Sequence, residues 1–254
     1  MVMVAVPSTY EVVGRAPVRA AIRRDLVPLL GPWLLARRLE VPPDATPIAS
    51  GRGAAFRIAL PGGCRVVLRL YRRGGFLARL VRETYLGFHP RPLRELALTA
   101  EVRRRGVPAA EVLAARVEGG ITYRGALVTA EVPAAATLVE ALRTAPDVAA
   151  RRALAAATGR AVASLHAAGV FHADLNLTNL LVHPGADGPG IVLLDFDRAR
   201  LQATPLPLRV RRRNLKRLAR SLAKLDPTGA LAGEAERQAF RLAYGLNGHA
   251  RCGS

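Results

Sequence analysis

The stretch from Phe171 to Arg200 constrains this chain more than any other: FHADLNLTNLLV, a short Gly/Pro-rich turn, then GIVLLDFDRAR. The first part places His172, Asp174 and Asn179 in the spacing H-x-D-x-x-x-x-N. The second is an apolar run, Ile191 to Leu194, that stops abruptly at Asp195-Phe196-Asp197. Phosphoryl transfer needs a carboxylate that orients the acceptor hydroxyl and takes its proton. It also needs oxygen ligands that hold Mg²⁺ against the β- and γ-phosphates. Asp174 supplies the first, and Asn179 with Asp195 supplies the second. His172 is read as a structural residue that packs and hydrogen-bonds to hold the loop. The plain alternative is an Asp capping a turn beside an unrelated strand-end Asp. It leaves unexplained why the two motifs fall a hairpin's length apart.

A chain of 254 residues, half of them apolar, can bury a core as one domain or as two lobes around a cleft. Its 38 basic and 19 acidic side chains give a formal charge of +19. That excess favours polyanionic partners, namely nucleotides, nucleic acid or an anionic membrane surface, without choosing among them. Cys64 and Cys252 make neither a disulfide framework nor a metal site, which suggests a reducing cytoplasm. The start, MVMVAVPSTYEVV, lacks the basic and long apolar regions of a signal peptide. No apolar run reaches the roughly eighteen residues needed to span a bilayer.

Residues 1–46 mix short apolar segments with one interrupted helix, Asp25 to Arg38, expected to break at Gly31-Pro32; Trp33 in it reads as core. From Ile48 the pattern becomes a β-hairpin, IASGRGAAFRIAL and RVVLRLY around Pro61-Gly62-Gly63. Gly51 and Gly53 lack a Cβ, so backbone N–H groups there can approach ATP phosphates. Arg69 stands where protein kinases carry a strand lysine, and it shares a strand face with Val67. Its planar fork grips phosphate or carboxylate bidentately. Pro92 opens a helix through Arg105, in which Glu95 is the expected partner of Arg69; Glu101 is the competitor, six residues on and off that face. ITYRGALVTAEV reads as two strands broken at Gly125. EVPAAATLVEALR reads as a linker into a helix, with the Glu131–Pro133 backbone facing an adenine if lobes are arranged as in kinases. Residues 147–168 form the longest helical pattern, started near Asp147 and stopped by Gly169, with His166 as packing. Leu215, Leu218, Leu222 and Leu225 mark an amphipathic helix whose remaining positions are largely Arg and Lys. One more helix and a polar tail follow.

HADLNLTN…DFD, with LRLYRRGG upstream and NLKRLARSLAKL downstream, resembles the bacterial 3-deoxy-D-manno-octulosonic acid (Kdo) kinases, in the lipopolysaccharide-kinase branch of the protein-kinase-like fold. The resemblance covers roughly residues 48–225. It implies an α+β bilobal fold: residues 1–46 as an extension packing on the N-lobe, 47–132 as a small β-rich N-lobe, and 133–254 as a mainly helical C-lobe. It implies ATP-dependent phosphorylation of the 4-hydroxyl of Kdo on a Kdo–lipid A precursor, at the cytoplasmic face of the inner membrane. Carried over, Asp174 matches the catalytic aspartate, Asn179 and Asp195 match the Mg²⁺ ligands, and Arg69 falls where the ATP-positioning cation belongs. With Gly51, Gly53, Glu95 and Glu131 it completes the expected nucleotide site. Two positions depart from ordinary protein kinases: Asn176 replaces a frequent lysine, and Asp197 replaces the glycine of D-F-G.

Independently, no A-P-E follows Asp197, so a platform for a substrate peptide is not expected. The acceptor is instead small or a lipid-linked sugar, and an anionic glycolipid suits the positive charge. A kinase of a soluble, aminoglycoside- or choline-like acceptor is the rival enzyme. A basic module binding nucleic acid or membrane without catalysis is the rival outside enzymes, and no zinc-finger spacing or RNP-type signature supports it. Residues 72–88 and 209–224 are the segments expected at an anionic membrane surface.

Overall fold

The computed structural model describes residues 5–48, 54–71, 85–86, 90–120 and 122–245, with the backbone alone at 85–86. The chain divides into two compact units. One holds the N-terminal residues through Glu101 together with Ala110–Glu131; the other holds Val102–Ala109 and the chain from Val132 onward.

The first unit is built on an antiparallel sheet of β1 (Tyr10–Arg15), β2 (Val18–Arg23), β3 (Thr46–Ile48), β4 (Ala54–Ala59), β5 (Arg65–Leu70), β6 (Tyr85–Leu86), β7 (Val112–Gly119) and β8 (Thr122–Ala130). The spatial order is β1-β2-β7-β8-β5-β4-β3, with β6 also on β8. On one face Ala20, Ile22, Val66, Leu68 and Val128 pack under Leu30 and Leu34 of α1 (Val27–Leu34). On the other, Ala21, Val112, Ala115, Val117 and Leu127 pack under Leu96 of α2 (Arg91–Arg104). Residues 10–23, which pattern alone leaves without regular structure, are thus two strands of the sheet.

Three local expectations change here. The helix α1 runs through Gly31-Pro32 instead of breaking there. An internal proline costs about 3 kcal/mol, and full burial of Leu30 and Leu34 on either side of it offsets that. The end of α1 has a partner too: buried Arg116 donates from Nε to the carbonyl of its last residue, Leu34 (2.8 Å), and from Nη2 to Ala36 O just beyond it (2.8 Å). Next, β8 is one strand without a break. Gly125 is glycine because a Cβ there would lie 2.4 Å from Pro92 Cγ in the first turn of α2. Lastly, β7 is a strand the pattern does not reveal. A register shift between Val112 and Ala114 puts Leu113 and Ala114 on the same face.

In the second unit β9 (Ala136–Thr137) leads into α3 (Leu138–Thr144), whose Thr137 and Glu140 form a reciprocal capping box. Then comes α4 (Val148–Ala167), begun by Asp147, whose Oδ1 accepts from Ala150 N at 2.7 Å, and followed by Gly169 at φ +72°. Both ends agree with the sequence reading. Next are β10 (Val170–Phe171), β11 (Leu180–Gly185), β12 (Gly188–Leu193), β13 (Arg200–Leu201), α5 (Leu208–Leu225) and α6 (Glu234–Tyr244). The hairpin β11–β12 carries the Phe171–Arg200 motif, with β9 on its outer edge. Gly159 lets α6 approach α4, since a Cβ there would sit 2.6 Å from Phe240 O.

Candidate active site

The sequence between Phe171 and Asp197 closes on itself through four hydrogen bonds. The Asp174 N–H donates to His172 Nδ1 (3.1 Å), and His172 Nε2 meets the carbonyl of Leu194 (2.8 Å). Leu194 N–H donates to Asn179 O (2.9 Å), and Asn179 Nδ2 donates to Asp174 O (2.9 Å). The circuit runs 174–172–194–179–174. It therefore fixes Asp174, Asn179 and the residue after Leu194, Asp195, at adjoining points. Asp195 adopts φ +64°, a left-handed conformation that costs a non-glycine residue on the order of 1–3 kcal/mol and that clusters at functional sites. Next to it Phe196 is buried, its ring 4.9 Å from that of His172.

The circuit fixes the protonation state of His172. One ring nitrogen accepts from an N–H and the other faces a carbonyl, so only the neutral Nε2–H tautomer satisfies both. Complete burial lowers its pKa in the same sense. The structural role expected for His172 is the one it has. Buried Asn214 of α5 braces the same loop: its Oδ1 accepts from His172 N (3.1 Å) and its Nδ2 donates to His172 O (2.6 Å). Behind it, His166 Nε2 meets Asn214 Oδ1 (3.2 Å) and His166 Nδ1 meets Tyr244 Oη (2.7 Å). Burial, the largest cause, lowers the His166 pKa to about 4.

Asn176, at the position of the frequent kinase lysine, does not reach outward. Its Oδ1 accepts from Thr178 N (2.9 Å) and Asn179 N (3.0 Å), capping the short 3-10 turn Leu177–Asn179. A cation arrives instead from α5, where Arg217 Nη1 donates to Asp174 Oδ1 at 3.0 Å. Sequence reading leaves Arg217 among the other cations of α5, because a helical pattern tells which residues face outward but not which one meets a loop 43 positions away. Asn214 was missed too; its signal is an amide on the leucine-lined side of an otherwise basic helix.

In the first unit, Arg69 projects from β5 onto Glu95 of α2, a carboxylate only 3% exposed, and Tyr71 Oη donates to the same carboxylate. Arg69 therefore pairs with Glu95. The guanidinium also lies 5.0 Å from the Tyr71 ring centroid. Burial, with the negative charge of Glu95, raises the Tyr71 pKa. Tyr71, two residues after Arg69 on the same strand face, completes a triad that sequence reading did not assemble. The Glu131 side chain sits between Arg57 (3.1 Å) and Arg65 (2.8 Å), and its N–H donates to Arg65 O (3.0 Å). A nucleotide contact at Glu131 therefore rests on its carbonyl. Gly51 and Gly53 lie outside the described residues.

The donor chemistry suits a hard divalent cation. Asn179 spends its amide N–H on Asp174 O, which turns its amide oxygen away from that carbonyl. The site thus offers an amide oxygen beside carboxylates. Among the described residues no group of three or more His, Cys, Asp and Glu side chains forms a cage. Mg²⁺ is characteristically bound without such a cage, by one or two carboxylates with waters and phosphates.

Three comparisons bear on this arrangement. The model of the lipopolysaccharide kinase (Kdo/WaaP) family matches residues 49–244. A protein of Xanthomonas axonopodis pv. citri named 3-deoxy-D-manno-octulosonic acid kinase is 42% identical over 183 residues, covering 70% of this chain and 69% of its own. One of Xanthomonas oryzae pv. oryzae with the same name is 39% identical over 208 residues, covering 77% of this chain and 78% of its own. A solved structure of WaaP in complex with acyl carrier protein superposes with a TM-score of 0.53 at 19% identity, covering 81% of this chain and 80% of that one. That likeness bears on the fold, which is protein-kinase-like.

Proposed function

The chain belongs to the lipopolysaccharide kinase (Kdo/WaaP) family and is an ATP-dependent sugar kinase of lipopolysaccharide core assembly; from that premise we propose that it phosphorylates the 4-hydroxyl of Kdo on a Kdo–lipid A precursor. The observation that carries the site assignment is the closed hydrogen-bond circuit, which groups Asp174, Asn179 and Asp195.

In this reading the Asp174 carboxylate accepts a hydrogen bond from the sugar hydroxyl and takes its proton as that oxygen attacks the γ-phosphorus. The bond from γ-phosphorus to the β–γ bridging oxygen breaks, and its electron pair leaves with ADP. Arg69, held by Glu95 and Tyr71, presents its guanidinium to the nucleotide phosphates. Gly51, Gly53 and the Glu131 carbonyl complete the nucleotide site in this proposal. Asn179 and Asp195 would hold Mg²⁺, which when bound neutralises charge on the β- and γ-oxygens. Arg217 holds the Asp174 carboxylate in its orientation. The cation-rich helix beside Asp174 disfavours a cationic acceptor, which argues against the aminoglycoside-like alternative. No described helix is long and apolar enough to cross a membrane. Attachment in this proposal is peripheral, at the cytoplasmic face of the inner membrane, through the basic segments 72–88 and 209–224.

The test is mass spectrometry of the Kdo–lipid A precursor after incubation with Mg·ATP. Wild-type protein adds one phosphate mapping to O4 of Kdo. Asp174→Ala lowers the rate by roughly 10²–10⁴-fold while the protein stays folded. A wild-type sample that leaves the precursor's mass unchanged refutes the function, and near-normal turnover by Asp174→Ala refutes the base.

A further inference from the structure

Beside α5 lies an open groove of about 530 Å³ whose lining includes Phe171, Arg213, Lys216, Arg217 and Arg220. Four of its lining side chains are cations and none is acidic. Arg217 belongs to this groove and to the catalytic loop at once, through its bond to Asp174 Oδ1 (3.0 Å). Arg213 and Arg220 stand four residues before and three after it, on neighbouring turns, so they lie about 6 Å and about 4.5 Å along the helix from Arg217. Phe171 immediately precedes the catalytic loop, and the Arg213 guanidinium lies 5.7 Å from its ring centroid.

We infer that this groove is an acceptor subsite and that its guanidinium groups take the carboxylate of the acceptor sugar acid. The inference rests on the kinase reading above and adds the means of choosing the acceptor. Clustered like charges raise one another's energy until an anion enters, and arginine forks match a carboxylate bidentately. The hydroxyl that loses its proton must touch Asp174. The rest of the same sugar ring then meets Arg217, whose Nη1 lies 3.0 Å from Asp174 Oδ1, and its neighbours in the groove. A sugar acid satisfies both contacts; a neutral sugar satisfies only the first. An acceptor phosphate offers similar chemistry from a different part of the molecule, so the experiment must separate the two.

The measurement is steady-state kinetics of the full chain, as wild type, Arg213→Ala and Arg220→Ala. Three acceptors are used: the Kdo–lipid A precursor, its Kdo methyl ester, and the precursor stripped of lipid A phosphates. For wild type the ester raises the acceptor KM at least about tenfold, as expected for loss of a charge-assisted pair. The two variants raise the KM for the free acid by a similar factor, and in them the ester penalty shrinks to within about twofold. Circular dichroism and the KM for ATP stay at wild-type values. An ester penalty that persists in both variants overturns the inference, as does a variant defect that vanishes on phosphate-stripped acceptor or appears in the KM for ATP. Those results leave the kinase standing. A wild type inert toward the free acid overturns the kinase reading and this inference together.

Discussion

At the scale of single residues, the buried histidines make stability depend on pH in a definable direction. The His166 pKa lies near 4 when folded, against about 6.5 for an ordinary histidine. Between those values the unfolded chain binds the extra proton and the folded one does not, so stability falls as pH drops from about 6.5 and levels off below about 4. His172, also lowered by burial, acts in the same sense. In denaturant unfolding, the stability advantage of wild type over His166→Gln should shrink by roughly 2 kcal/mol between pH 7 and pH 4.5. An advantage that stays constant over that range would refute the assignment. The same scale shows what sequence can convey about a site. Asp174, Asn179 and Asp195 are legible because one short loop and one strand end fix their spacing. Asn214 and Arg217 are not, since each meets the loop from more than 40 positions away and belongs to a helix whose pattern explains it otherwise.

Among elements, the pairing of β5 with α2 carries the sharpest expectation. Arg69→Ala deprives a 3%-exposed carboxylate of a cation, so it should destabilise the protein by about 3 kcal/mol and raise the KM for ATP. Adding Glu95→Gln removes the buried charge that has lost this cation. The double variant should therefore recover part of the lost stability while keeping the high KM. Denaturant unfolding and ATP kinetics read both quantities, and a double variant less stable than Arg69→Ala alone contradicts the pairing. Element recognition from sequence succeeded where one face is wet. The helices α4 and α5 announce themselves by a cap and by leucine spacing. The strand β7 does not, because its first six residues are all buried and so show no alternation. Gly125 misled for a related reason: its meaning, the close approach of Pro92, lies in a neighbouring element.

For the whole molecule the governing quantity is the charge of +19. With the exposed arginines of α5, that charge should make the protein sediment with anionic lipid vesicles at low salt. Binding should fall steeply above about 0.15 M salt, where the screening length is about 8 Å, and should be absent on neutral vesicles. Equal binding to neutral and anionic vesicles would rule out attachment by charge.

The bracing behind the loop carries one more consequence. From Asp174 through His172 to Asn214, His166 and Tyr244, each polar contact hands on to the next, ending in the final turn of α6. The last described helix of the chain is thus wired to the loop that carries Asp174. Clipping the last turn of α6 would leave the buried His166 imidazole without its Tyr244 partner and loosen the loop that carries Asp174.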